Sequence, residues 1–104
     1  MQIKVNTDNE VYGTEEFKEF YRSEVERVLG RFDKYVTWIE VYFSDGSSNK
    51  DTLNDKKCVI EARFKGLDPE HVSDQADELK PAFDGAVRKM RTVLDRLAET
   101  RRNW

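Results

Sequence analysis

Two stretches of the chain alternate apolar and polar residues, and this pattern predicts two β-strands. In residues 37–44 the apolar positions of one face are Ile39, Val41 and Phe43. In residues 56–65 every second residue is apolar in the same way: Cys58, Ile60, Ala62 and Phe64. Successive side chains of a strand point to opposite faces of its sheet, so strict alternation indicates a sheet that is covered on one face only.

Two further segments are interpreted as shorter strands. Residues 2–6 alternate, with Ile3 and Val5 on one face. Residues 70–75 match the pattern less closely and are interpreted as an edge strand that follows a turn at Gly66 and Pro69. Between the two central strands, residues 45–55 are polar and rich in turn-forming residues, which predicts a long hairpin loop.

Helical periodicity predicts two amphipathic helices. The first begins at the N-cap Thr14 and ends at Gly30. Its apolar stripe is Phe17, Tyr21, Val25 and Val28. The second runs over residues 77–100, with Pro81 in its first turn, where a missing backbone N–H costs little. Its apolar stripe is Leu79, Phe83, Ala86, Val87, Met90, Leu94 and Leu97.

These elements occur in the order β-α-β-β-β-α along residues 1–104. Every apolar stripe is buried if both helices pack on the same face of the sheet. The sequence therefore predicts a single α+β domain: a four-stranded antiparallel sheet with two helices packed on one face.

The composition limits the classes of function. The chain has 104 residues, which is enough for one domain and one core, and its net charge is −3. A general basic field for nucleic acid is therefore absent, and any such binding must come from a local patch. A single cysteine cannot form an internal disulfide, and no run approaches the ~20 apolar residues of a membrane span. We expect a cytoplasmic protein without membrane contact.

The order of elements, the opening MQIKVNTDN and the segment AFDGAVRKMRTVL (residues 82–94) resemble the ribosome hibernation promoting factor family. This family is also called ribosome-associated inhibitor, protein Y or sigma-54 modulation protein. Its final helix typically reads Ala, Ile or Phe, Asp, a free position, two apolar residues, a free position, Lys, then Leu or Met. The matching residues are Ala82, Phe83, Asp84, Ala86, Val87, Lys89 and Met90. The resemblance extends over nearly the whole chain.

This resemblance implies a protein that binds the small ribosomal subunit and contacts 16S rRNA in the channel used by mRNA and tRNA. Such proteins silence translation under stress or in stationary phase. The resemblance implies no enzymatic activity, no cofactor and no small-molecule substrate. It also implies the short form of the family, without the C-terminal domain that pairs ribosomes in longer members, and we expect a monomer.

Helical geometry, at about 100° per residue, separates the charges of the second helix into two edges. On one edge, Asp84 reaches Arg88 and Arg91 reaches Asp95 at i,i+4 spacing. Such pairs contribute about 0.2–0.5 kcal/mol each and partly neutralise their cations. Arg88 and Arg91 are therefore predicted to be less available to a ligand.

The opposite edge carries Lys89 and Arg96 beside the small residues Gly85 and Thr92, with no acid at i±4 of Lys89. We interpret this edge as a strip that binds RNA phosphates, with Thr92 as a hydroxyl donor. Arg27 and Arg31 of the first helix extend it if the helices lie side by side. The predicted RNA-binding residues are Lys89, Arg96, Arg88, Arg91, Arg27, Arg31 and Thr92.

A second surface stays open as an alternative. Trp38 and Tyr42 face away from the core, and the expected hairpin brings them near Arg63 and Lys65. An open sheet with aromatic and cationic side chains could stack single-stranded RNA bases. It could equally be a protein-interaction module. In the plainest interpretation, the rings lean on their cross-strand neighbours.

Metal-binding and catalytic sites are not predicted. Asp45, Ser47, Asn49 and Asp51 alternate as in a calcium loop, but Lys50 occupies the position of the turn glycine and Lys56 that of the bidentate glutamate. Cys58 faces the core, which separates it from the single histidine, His71. The sequence contains no glycine-rich phosphate loop and no nucleophile elbow. The protein is therefore predicted to bind rather than to catalyse.

Overall fold

The computed structural model describes residues 1–9, 11–46 and 55–102, with the side chain of Arg102 left aside. The elements are β1 (Gln2–Thr7), α1 (Glu15–Leu29), a short 3-10 helix (Gly30–Phe32), β2 (Val36–Asp45), β3 (Lys56–Phe64), β4 (Glu70–Ala76) and α2 (Leu79–Arg102). This confirms the predicted β-α-β-β-β-α order and the α+β class. The weakest prediction, the edge strand at residues 70–75, is also confirmed. In the described part of the chain, no helix is long and apolar enough to cross a membrane.

The sheet has the order β1-β2-β3-β4, and it is mixed. The β2–β3 and β3–β4 pairs are antiparallel, whereas β1 runs parallel to β2, with Val5 opposite Val41. The expectation of a fully antiparallel sheet was wrong for this pair. Because α1 carries the chain back along one face of the sheet, β2 starts at the same end as β1, and a parallel neighbour results.

Both helices cover the same face of the sheet, α1 over β1 and α2 over β3 and β4. An aromatic cluster joins the layers: the Tyr21 ring centroid lies 4.6 Å from that of Phe43 and 4.9 Å from that of Phe83. The inward positions of β3 are buried as predicted, Cys58 among them. Burial raises the pKa of the Cys58 thiol to about 12, so it is held as a neutral thiol.

Local signals in the sequence account for the limits of α1 and for the β3–β4 turn. The Thr14 hydroxyl accepts a hydrogen bond from the Phe17 amide at 3.0 Å, as an N-cap residue does. At its other end α1 tightens into the 3-10 helix, and Gly30 keeps a right-handed conformation with φ −61°. Gly66, between β3 and β4, has φ 79°, which a residue with a side chain rarely adopts.

Gly85 marks a close approach of α2 to the edge strand β4. A Cβ atom at this position would overlap the carboxylate of Asp74, lying 2.6 Å from its Cγ and 3.1 Å from its Cβ. The absence of a side chain at Gly85 therefore lets the helix settle against β4.

Replacing Gly85 with alanine is expected to destabilise the fold by about 1–2 kcal/mol, although alanine favours a helix by about 1 kcal/mol. Urea unfolding monitored by circular dichroism measures the change. The double variant Gly85→Ala/Asp74→Ala is the control, and it should recover most of the loss because the overlapping carboxylate is gone. A Gly85→Ala variant more stable than the wild type would contradict the close approach.

Candidate functional site

The two helices lie side by side, and charged side chains connect them. The Arg31 guanidinium, just past the end of α1, donates a hydrogen bond from Nη2 to Asp95 Oδ1 of α2 at 2.8 Å. Near the start of α2, Lys80 Nζ lies 3.9 Å from Glu24 Oε1 of α1. The edge of the first helix therefore does extend the charged surface of the second.

The ion pairs predicted within α2 were wrong. Asp84 accepts a hydrogen bond from Lys80 at 2.7 Å instead of pairing with Arg88. Asp95 pairs with Arg31 instead of Arg91. An exposed acid at i,i+4 gains so little from one partner that a cation on a neighbouring turn or element can replace it. Both carboxylates are thus neutralised by cations other than those expected.

Lys89 was expected to stand free, and this was also wrong. Its Nζ donates a hydrogen bond to the Ser73 carbonyl of β4 at 2.8 Å and lies 3.6 Å from Asp74 Oδ1. Because α2 packs against β4 at Gly85, the ammonium of Lys89 reaches the edge strand although its side chain stays exposed. The Gln75 amide donates to Asp74 Oδ1 at 2.9 Å. Together with the bond from Lys89 to the Ser73 carbonyl, this bond occupies backbone polar groups of the edge strand β4.

The cations left available on α2 are Arg88, Arg91 and Arg96, which are all exposed. Their side chains form no ion pair or hydrogen bond with any residue that the structure describes. We call the exposed surface of α2 that spans both predicted edges and carries these three residues the arginine face. Thr92 lies within it, and its hydroxyl donates to the Arg88 carbonyl at 3.2 Å, so its proton is used inside the helix.

On the α1 side, two further arginines are exposed but held in place. Arg27 donates from Nε and Nη2 to the two carboxylate oxygens of Glu24, at 3.2 and 3.1 Å. This hydrogen bond, with the charge of Arg27, lowers the pKa of Glu24 despite a smaller opposing effect of burial. The Arg31 guanidinium carbon lies 4.5 Å above the centre of the Phe32 ring. A fixed guanidinium loses less side-chain entropy on binding a phosphate than a free one does.

The open face of the sheet is organised around Glu40. Its two carboxylate oxygens accept hydrogen bonds from Asn6 Nδ2 at 2.7 Å and from Trp38 Nε1 at 3.0 Å. Burial, and secondly a hydrogen bond to the same carboxylate, raise the pKa of Tyr42. No role was predicted for Glu40, although the alternation of β2 places it between Trp38 and Tyr42 on one face.

A second acid, Glu61 of β3, lies opposite Glu40 in the β2–β3 ladder. Like charges at such a position are destabilising unless neighbours compensate. Arg63 Nε donates to Glu61 at 3.3 Å, and His71 Nε2 lies 2.9 Å from its other oxygen. The Arg63 guanidinium also lies 5.8 Å from the centre of the Trp38 ring, so the predicted Trp38–Arg63 neighbourhood is confirmed.

Lys65 lies beyond the end of β3, where its amide donates to the Tyr35 carbonyl at 2.8 Å. Tyr42, by contrast, lies opposite Val59 in the first half of β3. The expectation that Lys65 lies near Tyr42 was therefore wrong.

Glu40 makes the stability of the fold depend on acid pH. Burial alone would raise the pKa of Glu40. Hydrogen bonds from Trp38, Asn6 and Tyr42 and the charge of the Lys4 ammonium outweigh this effect, and they lower the pKa below the usual 4.5. A depressed carboxyl pKa stabilises the folded state above the unfolded pKa, and this contribution disappears as the pH falls through the folded pKa.

We expect Glu40→Gln to be less stable than the wild type at pH 7 and to lose less stability between about pH 5 and about pH 3, where the carboxylate contribution vanishes. Urea unfolding across this range measures both effects. Glu70→Gln, at an acid whose side chain forms no hydrogen bond or ion pair with any residue that the structure describes, is the control and should follow the wild-type profile. A Glu40→Gln profile parallel to that of the wild type would contradict the assignment.

The calcium-like pattern of the hairpin loop falls largely on residues 47–54, which lie outside the described residues. Its first member, Asp45, is described and lies 3.2 Å from Lys56 Nζ. Among the described residues, no group of three or more His, Cys, Asp or Glu side chains could hold a metal ion.

The chain is similar to known proteins in sequence and in fold. The family model described as "Sigma 54 modulation protein / S30EA ribosomal protein" matches residues 5–102. Among solved structures, the Protein Y N-terminal domain of Thermus thermophilus has a TM-score of 0.68 and 24% sequence identity, over 93% of this chain and 99% of that one. A ribosomal subunit interface protein from Coxiella burnetii has a TM-score of 0.69 and 18% identity, over 95% and 99% of the two chains.

No curated protein sequence matched the chain. The two solved structures have the same fold as this chain. The family model, which spans nearly all of the sequence, shows the family membership. The family consists of ribosome-associated factors and is not a class of enzymes. The chain belongs to the sigma 54 modulation protein / S30EA ribosomal protein family.

Proposed function

We propose that this protein binds the small ribosomal subunit through 16S rRNA and inhibits translation, under stress or in stationary phase. Its family is ribosome-associated, and one protein of the same fold is titled a ribosomal subunit interface protein. The observation that carries the proposal is the arginine face. It places three exposed guanidinium groups, unpaired within the described residues, on one surface of a protein whose net charge is −3.

The chemistry of this surface suits the backbone of folded RNA. Guanidinium groups bind phosphates with two parallel hydrogen bonds. A helical RNA presents phosphates and 2′-hydroxyls across a shallow minor groove, so recognition would depend on shape more than on sequence. In this proposal Arg88, Arg91 and Arg96 make the main contacts, and Arg27 and Arg31 extend them across α1. Lys89 and Thr92 play minor parts, since both are engaged within the protein.

The open sheet face is less suited than the arginine face to binding RNA. The indole N–H of Trp38 is bonded to Glu40, and Arg63 lies beside the ring. Two carboxylates, Glu40 and Glu61, lie at the centre of this face and would repel a phosphate backbone. The proposal therefore places RNA on the helices, with the protein acting as a cytoplasmic monomer through a single domain.

Co-sedimentation with purified ribosomal subunits tests the proposal. We expect the protein to sediment with 30S and not with 50S particles, to bind more weakly as salt rises from about 50 to 200 mM, and to inhibit cell-free translation. Bovine serum albumin, also acidic, controls for trapping in the pellet. Failure to bind 30S particles at low salt, or equal binding to both subunits, would overturn the proposal.

A further inference from the structure

A cavity of about 300 Å³ lies where the groove between the helices ends, beyond the arginine face. Its walls come from the 3-10 helix, the turn that follows it and the C-terminal half of α2: Arg31, Phe32, Lys34, Tyr35, Asp95 and Ala98. Because Arg31 and Asp95 also form the bridge between α1 and α2, the cavity is continuous with the charged surface between the helices.

The cavity combines flat aromatic surfaces with cations. Arg31 lies over Phe32, and Lys34 Nζ lies 5.5 Å from the centre of the Tyr35 ring. The Tyr35 ring is itself stacked on Phe64, with centroids 5.4 Å apart and planes 5° from parallel. This stacking fixes the orientation of Tyr35, and the bond to Asp95 fixes the guanidinium of Arg31, so two planar groups border the cavity in set positions.

Each wall corresponds to one part of a nucleotide. Aromatic rings and guanidinium planes stack nucleobases. The ammonium of Lys34 is a suitable partner for a phosphate, and Asp95 adds a hydrogen-bond acceptor. A site for an inorganic anion alone would need neither the aromatic walls nor the carboxylate. The volume lies at the lower end of the range for ligand pockets and is too small for a run of stacked bases.

We propose that this cavity receives one unstacked nucleotide of the bound RNA, with its base against Tyr35 and Arg31 and its phosphate at Lys34. The inference rests on the proposed function and adds a sequence-sensitive contact to a surface that otherwise recognises shape. Asp95 accepts hydrogen bonds, so the cavity favours a base with an exocyclic amino group, such as adenine, over uracil.

Nuclear magnetic resonance of the full chain tests the cavity with free nucleotides. Adenosine monophosphate should shift the Tyr35 ring and Ala98 methyl resonances saturably, uridine monophosphate should bind more weakly, and inorganic phosphate should leave both resonances unchanged. Tyr35→Leu should weaken adenosine monophosphate binding roughly tenfold, the effect of losing one stacked base. Lys57→Ala, on the open sheet face, is the matched control for Lys34→Ala, which should also weaken binding.

Parallel measurements keep this inference separate from the proposed function. A melting curve for each variant shows whether it is folded. If Tyr35→Leu is unfolded, the effect of Lys34→Ala on adenosine monophosphate binding tests the cavity instead. If 30S particles are bound but adenosine monophosphate shifts neither resonance, or inorganic phosphate shifts both equally, the cavity proposal is overturned and the proposed function stands. If 30S particles are not bound at low salt, the proposed function fails and the cavity proposal fails with it.

Discussion

Simultaneous replacement of Arg88, Arg91 and Arg96 with alanine is expected to weaken binding to 30S particles by on the order of 100-fold or more, since each charged hydrogen bond to phosphate contributes about 1.5–3 kcal/mol. The free energy of unfolding should change by no more than about 0.5 kcal/mol, because the three side chains are exposed and form no ion pair within the described part of the chain. Titration of the fluorescently labelled protein with 30S particles at equilibrium measures the affinity.

The matched control removes three cations from the open sheet face: Lys4, Lys57 and Arg63. It changes the net charge by the same amount, so a general electrostatic effect would weaken both variants equally. We expect this control to bind within about threefold of the wild type, an upper limit for screened, distant charges. Lys89→Ala should also have a small effect, because its ammonium is bonded to Ser73. Stronger loss in the sheet-face control than in the arginine variant would assign binding to the sheet.

Phe83→Ala is expected to lower the free energy of unfolding by about 3–5 kcal/mol. The Phe83 side chain is 1% exposed and contacts the rings of Tyr21 and Phe43, so its removal leaves a cavity where α1, α2 and the sheet meet. Since small domains have about 5–15 kcal/mol of total stability, much of the population should unfold on mild heating. Urea unfolding followed by circular dichroism gives the value.

Phe83→Leu is the corresponding control. It should lower the free energy of unfolding clearly less, because leucine fills most of the volume of the phenylalanine side chain. It should also retain wild-type affinity for 30S particles, since Phe83 belongs to the core and not to the arginine face. Loss of binding in a fully folded Phe83→Leu variant would contradict this division between core and surface.

Most of the fold could be predicted from the sequence because local signals agree with one another. Thr14 and Gly66 mark a helix start and a turn, and the alternation of β2 and β3 separates a buried from an open face. The direction of β1 was missed. It depends on which strand β1 neighbours, a non-local property, although a helix between adjacent strands favours a parallel pair.

The sequence predicted cations on α2 as the candidate site, but it did not predict which of these cations are free of partners within the protein. A helical projection counts only neighbours within one helix, and it therefore made Lys89 free and Arg88 paired. The structure reverses this order. Asp74 approaches Lys89 from β4, and Lys80, one turn earlier in α2, takes Asp84 from Arg88. Arg31 takes Asp95 from Arg91 across the groove. The Lys89–Asp74 and Arg31–Asp95 partners are 15 and 64 residues apart in sequence, so only the packing of the elements reveals these two pairs.

The dependence of 30S affinity on salt concentration is the most direct test of RNA binding through the arginine face. A plot of the logarithm of the association constant against the logarithm of the salt concentration has a slope set by the number of phosphates that the protein neutralises. We predict a steep negative slope for the wild type, and a slope shallower by about 2–3 when Arg88, Arg91 and Arg96 are alanine. Equal slopes in both proteins, or salt-insensitive binding that is lost on Trp38→Ala, would contradict binding through the arginine face.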